Sequence, residues 1–182
     1  MGRVFEKIDE KLRSWIEQQQ MFFVATAPSS DEGLVNCSPK GLDSFRVLGP
    51  TTIGYLDMHG SGIETVAHLR ENRRIVIMFC AFEGPPKIVR LHGKGVVHEL
   101  GCEGFAKLAN QFTTNPGARS IIEIELDRIC DSCGYGVPRY DFVEQRETLT
   151  QYAIKKGPEK LAESKVRNAR SLDGLPGLSS KT

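Results

Sequence analysis

No run in this 182-residue sequence approaches the roughly 20 apolar residues that a membrane-spanning helix requires. The first 20 positions, with Glu6, Asp9, Glu10, Glu17 and three glutamines, also lack the apolar stretch of a secretory signal. The expectation is a soluble, cytoplasmic protein with no membrane partner. Net charge is nearly absent: 24 basic residues stand against 23 acidic ones, a formal charge of +1. Without a global field to gather nucleic acid, any anion must be held by a local pocket. Cysteine is sparse and odd in number, at positions 37, 80, 102, 130 and 133, which fits reduced thiols better than a disulfide framework. The dinucleotide fingerprint, the P-loop, GxSxG and HExxH are all missing, which removes a Rossmann dehydrogenase, an ATPase, a serine hydrolase and a zinc protease. Cys130-x-x-Cys133 has no second pair to complete a zinc site, and it runs into the extended turn GYGVP rather than a helix, so no metal or redox centre is expected there. His59, His68, His92 and His98 show no metal-cluster spacing, and no repeat or low-complexity tract is present.

What is present is an ordinary globular composition, 40% hydrophobic and 26% charged, enough for one core with a terminal extension. Phe5, Ile8, Leu12, Trp15 and Ile16 recur at helical spacing and predict an amphipathic helix over 4–20. Four short runs rich in β-branched and aromatic residues follow, at 21–27, 33–38, 44–48 and 51–57, and closely spaced strands of this kind are expected to pair as an antiparallel meander. A helix over 62–72 leads to two longer strands, 74–82 and 87–98, joined by the turn Glu83-Gly84-Pro85-Pro86. A short helix over 103–112 precedes the alternating strand 120–129, where Ile122, Ile124 and Leu126 interleave with Glu123, Glu125 and Asp127. Helical patterns return at 144–156 and 158–168, and the tail SLDGLPGLSSKT shows no means of packing itself. The domain is placed at 1–138 and the helical extension with its tail at 139–182.

Three segments could carry chemistry. In Asn36-Cys37-Ser38-Pro39-Lys40-Gly41, a lysine between proline and glycine at a strand end is a fixed cation beside backbone donors, suited to a phosphate or an anionic ring edge. A plain solvated turn uses the same residues. The stretch from Tyr55 and Asp57 through Gly60-Ser61-Gly62 to Thr65 runs from strand through a glycine turn into a helix, leaving helix amides unpaired for a phosphate dianion. A helix N-cap by Ser61 accounts for the same spacing. On the strand 87–98, Arg90, His92 and Lys94 share one face. A partly covered Arg90 between Val89 and Leu91 would need an anionic partner, although a cationic stripe facing solvent would not.

The element order, with FFVATAP, VNCSPKG and TIGYLDMHGSGIETVAHLRENRRIVIMFCAFEGPPKIVRLHGKG in sequence, resembles the pyridoxamine 5′-phosphate oxidase-related FMN-binding proteins over residues 5–130. The segments CGYGVP and SLDGLPGL resemble that group's C-terminal extension. The resemblance implies a mainly β (α+β) fold, a split β-barrel of six to seven antiparallel strands with peripheral helices. It further implies a homodimer holding FMN at the subunit interface. The flavin phosphate would fall to Ser61, Gly62, Thr65 and Arg90, and the ring to Ser38, Pro39, Lys40, Gly41, Tyr55 and Asp57. True oxidases of the family end in an arginine-containing segment that helps hold the substrate phosphate, and this chain ends in GLPGLSSKT. The substrate assignment therefore does not carry over, and no catalytic acid, base or nucleophile is identifiable.

The functional expectation is an FMN-dependent oxidoreductase acting on an unidentified small substrate. Two alternatives stay open: the same barrel serving F420 or haem, or a non-catalytic flavin-binding module whose Lys155, Lys156, Lys160, Lys165, Arg167 and Arg170 engage a partner.

Overall fold

The computed structural model describes residues 2–179. Alternation of buried and half-exposed side chains builds the sheet. In β2 (Phe22–Thr26) Phe22, Val24 and Thr26 point inward, and in β6 (Arg74–Cys80) Ile75, Ile77 and Phe79 do the same. The remaining strands are β1 (Val4–Phe5), β3 (Asn36–Lys40), β4 (Phe45–Val47), β5 (Thr52–Met58), β7 (Ile88–Glu99) and β8 (Ala118–Ser132). Seven pair antiparallel in the order β3-β2-β6-β7-β8-β5-β4, with β1 added alongside β8. The sheet curls over a main apolar core, with a smaller cluster of Leu56, Met58, Phe112 and Ile121 beside it, as a split β-barrel, mainly β with peripheral helices, which is the fold the element order implies.

Phe22, Phe45, Tyr55 and Phe79 meet at the centre of that core with ring centroids 5.0 to 5.8 Å apart, in the tilted and edge-on geometries that aromatic quadrupoles favour. Helix α1 (Glu10–Glu17) closes one end with Leu12 and Ile16. Helix α2 (Glu64–Asn72) follows β5, and the short α3 (Glu103–Leu108) with a 3-10 turn at Ala109–Gln111 follows β7.

The structure departs from the sequence expectations in several places. Helix α1 starts at Glu10 rather than residue 4, because Asp9 Oδ1 accepts from Leu12 N at 2.8 Å and caps it. Val4 and Phe5 instead pair with Cys130 and Ile129. The four early strands form two hairpins, β2-β3 and β4-β5, at opposite ends of the strand order, not one meander. Left-handed backbone at Leu42 (φ 61°) and Asp43 (φ 53°) turns the chain away, and Pro39 deprives β3 of a ladder donor, which suits an edge strand. The strand expected over 33–38 runs instead from Asn36 to Lys40 as β3, so that Pro39 and Lys40 of the expected turn are strand residues, while Gly33 lies in a turn donating to Ser30 O.

Helix α4 (Thr148–Arg167) is bent where Gly157 adopts φ 73° ahead of Pro158, matching the two helical patterns in the sequence with a start four residues later than expected for the first. The tail, expected to lack packing of its own, folds back on this same chain. Gly174 N donates to Ser171 O at 2.9 Å, and Arg170 pairs with Pro176. That turn delivers Leu178 to the main core and Ser179 to Glu99, whose carboxylate accepts from Ser179 N at 2.9 Å. Residues 180–182 lie outside the described residues.

Candidate functional site

A cleft of about 1050 Å³ opens between the β3 edge, the turn from β5 into α2, and the C-terminal extension. Pro39, Lys40 and Gly41 form its sheet side, and His59, Gly60 and Ser61 its turn side. Phe142, Leu149, Tyr152 and Leu161 give an apolar wall, and Lys156, Ser164 and Arg167 a polar one.

A buried ionic scaffold sits beneath the cleft. Lys40 Nζ lies 3.3 Å from Asp57 Oδ1, and Arg119 Nε donates to Asp57 Oδ2 at 2.6 Å. Arg119 Nη1 donates in turn to Gly62 O at 3.0 Å. One carboxylate thus fixes both the cation on the sheet edge and, through Arg119, the backbone of the glycine turn. Burial pushes Asp57 up, but the charges of Arg119 and then Lys40, with their hydrogen bonds, outweigh it and hold the carboxyl below its usual range. His59, half-buried at the cleft edge, is pushed down by burial and then by the Arg119 charge. Its imidazole therefore favours the neutral form, able to donate or accept a proton.

The sequence-derived candidates separate into three groups. Pro39, Lys40, Gly41 and Ser61 line the cleft, while Asp57 and Gly62 support it from below through Arg119. Ser38 and Thr65 meet instead on Asn36: Ser38 Oγ donates to Asn36 Oδ1 at 3.0 Å, and Asn36 Nδ2 donates to Thr65 Oγ1 at 3.0 Å. Tyr55 and Arg90 lie elsewhere. Tyr55 is fully enclosed in the aromatic core, where burial raises its phenol well above the ordinary value. Arg90 stands on β7 between Met78 and Cys130 and donates to Ser132 Oγ at 2.9 Å, so its neighbour is a hydroxyl rather than the Ser61 turn. Ser61 does not cap α2 either; the N-cap position is Ile63, without a side-chain hydrogen bond.

Sequence reasoning missed Arg119, Lys156 and Arg167 as site residues. Arg119 did carry a signal, since it opens a strand whose next residues are fully buried, and a buried guanidinium demands an acidic partner. Lys156 and Arg167 stand out in the sequence only within a basic set of six that would engage a partner.

A profile of the family described as pyridoxamine 5′-phosphate oxidase matches residues 8–133. The chain belongs to this family. The pyridoxamine 5′-phosphate oxidase family protein ustO of Aspergillus flavus is 38% identical over 196 residues, an alignment spanning 97% of this chain and 78% of that protein. Among solved structures, HupZ of Group A Streptococcus superposes with a TM-score of 0.52 at 23% identity, covering 67% of this chain and 91% of that one. A pyridoxamine 5′-phosphate oxidase candidate from Lactobacillus delbrueckii gives 0.51 at 18% identity, covering 70% and 98%. At such identities these two show the shared fold alone. The profile ends before the C-terminal extension that walls the cleft, whereas the ustO alignment takes in nearly the whole chain.

Proposed function

We propose that this family member binds FMN in the cleft beside Lys40 and Ser61 and acts as an FMN-dependent oxidoreductase on a small organic substrate. The observation that carries the proposal is the fixed cation of Lys40, held by buried Asp57, next to the Gly60-Ser61 turn and facing an apolar wall. A phosphorylated planar ring needs that combination: positive charge and amide donors for its anionic end, apolar surface for its faces. Lys40, Gly60 and Ser61 would hold the polar parts, and Tyr152, Phe142 and Leu149 would shield the ring from water. Bound flavin would supply the redox chemistry. This chain's residues would orient the ring, and neutral His59 stands at the edge where a substrate proton could be exchanged.

A homodimer accords with the outer face of the sheet. Phe23 and Ala25 on β2 and Val76 and Met78 on β6 are half-buried and mutually paired, and Val35 beside Ala25 and Val76 is 76% exposed. A contiguous apolar surface of this kind is suited to a second copy. Among the described residues no helix is long and apolar enough to cross a membrane, and a cytoplasmic location is part of the proposal.

The test is the absorption spectrum of the purified protein before and after addition of FMN, with mass identification of any ligand released on denaturation. Flavin bands and micromolar uptake of FMN are expected. A protein that stays colourless and takes up none, or that releases haem or F420, overturns the assignment.

A further inference from the structure

Two cations of α4 converge on one hydroxyl. Lys156 Nζ and Arg167 Nη2 both donate to Ser164 Oγ, the latter at 3.0 Å, while Ser164 Oγ itself donates to Lys160 O at 2.9 Å. The hydroxyl thereby spends its own proton on the backbone and offers both cations only a neutral oxygen. Neither cation makes a salt bridge among the described residues. Nearby, Lys165 pairs with Glu99, and Lys40 and Arg119 pair with Asp57, whereas Lys155 and Lys160 on the same helix likewise make none among the described residues. A helix C-terminus favours a positive charge at Arg167, where α4 ends, and at Lys156, where its first half stops at the bend, but supplies neither with a counter-ion. That bend, at Gly157, is what folds Lys156 back onto the following half of α4. The pair lines the cleft, and Asn168 Nδ2 ties the same end of the helix to Gly60 O at 3.0 Å.

We infer that Lys156, Ser164 and Arg167 form an oxyanion-binding site that receives a phosphate or carboxylate group within the cleft. An anion between the two would relieve the repulsion that Lys156, whose other partner is the neutral hydroxyl of Tyr152 at 2.7 Å, and the exposed Arg167 leave uncompensated, and two donors of different shape suit an oxygen-rich group presenting several lone pairs. The anion is either the phosphate of the flavin or the acidic group of a separate small ligand. The first of these sources deepens the flavin proposal and rests on it; the second does not.

The experiment compares the full-length protein with the double variant Lys156→Gln, Arg167→Gln, its fold checked by circular dichroism. Affinities are measured for FMN, for riboflavin, which lacks the phosphate, and for inorganic phosphate with and without FMN present. A tenfold or greater loss for FMN with riboflavin unchanged supports the site and identifies the flavin phosphate as its anion. Unchanged FMN affinity, with saturable phosphate binding to the parent protein that the variant loses, supports the site and identifies a separate anion. If FMN and phosphate behave alike in parent and variant, the inference is overturned. Should the parent bind no flavin, the flavin proposal falls alone. The phosphate titration then still decides the site: binding lost in the variant supports it, and no binding or no loss overturns it.

Discussion

Arg119 Nε donates to Asp57 Oδ2 at 2.6 Å, with the two side chains only 7% and 1% exposed. Asp57 also faces Lys40 Nζ, so one carboxylate balances two cations. Replacing it by Asn leaves a buried guanidinium without its counter-charge, and such a change costs about 3–5 kcal/mol. Asp57→Asn should show that loss in urea unfolding at neutral pH. Because the folded pKa of Asp57 lies below the unfolded value, its contribution is complete above the ordinary carboxylate range and disappears as pH falls through the folded pKa. The stability gap between parent and variant should therefore narrow on acidification. A gap that is constant, or wider at low pH, would contradict the charge assignment.

Lys40 and Arg90 were equal candidates on sequence, and the structure separates them. Lys40 lines the cleft, whereas Arg90 donates to Ser132 on β8. If FMN occupies the cleft, Lys40→Ala should weaken its binding about tenfold, equivalent to about 1.4 kcal/mol, and Arg90→Ala should leave it unchanged. Fluorescence titration of both variants checks this, and the reverse ranking would restore Arg90 to the site.

Much of the architecture was legible because it is local. Strand β7 and helix α2 lie within a residue or two of where periodicity places them, since alternation and helical spacing are properties of neighbouring residues. Pairing is not local. The split of the early strands into two hairpins depends on left-handed backbone at Leu42 and Asp43, residue types that do not announce that conformation. The same division runs through the site. Lys40 and the Gly60-Ser61-Gly62 turn declare their chemistry in a short stretch, whereas Arg119 acquires its role from a carboxylate 62 positions away. Lys156 and Arg167 meet only because Gly157 bends their helix.

Gly93 marks the irregularity where β7 and β8 slip register. A Cβ built there would fall 2.1 Å from Glu125 O, a backbone atom that cannot swing aside. Gly93→Ala should destabilise the barrel by about 1–3 kcal/mol or more, the usual cost of overpacking. Gly60→Ala is its control: a Cβ there meets nothing within 4 Å, so the midpoint of chemical unfolding should barely move. A neutral Gly93→Ala would mean that the strands approach each other less closely than described.

Glu99 holds the tail in place. Its Oε1 accepts from both Ser179 N at 2.9 Å and Ser179 Oγ at 2.8 Å and also meets Arg70, while Lys165 lies 3.5 Å from Oε2. Burial pushes the Glu99 carboxyl up, but the Ser179 hydrogen bonds, then Arg70 and Lys165, outweigh it and lower the pKa. A lowered folded pKa means that the tail contact is intact above the ordinary glutamate range and is lost as pH falls through the folded value. Glu99→Gln keeps an acceptor but removes the charge, weakening charge-assisted hydrogen bonds by about 1.5 kcal/mol, or roughly tenfold in the local opening equilibrium. Hydrogen exchange across residues 171–179 should quicken by that factor in the variant at neutral pH. Protection of the same amides, taken relative to the intrinsic exchange rate at each pH, should also fall in the parent on acidification, with little further change in Glu99→Gln. Since Asn168 connects the start of this segment to Gly60, loosening the tail should relax the turn side of the cleft as well. Protection at 171–179 that ignores both the substitution and pH would show that Leu178 in the core, rather than Glu99, anchors the segment.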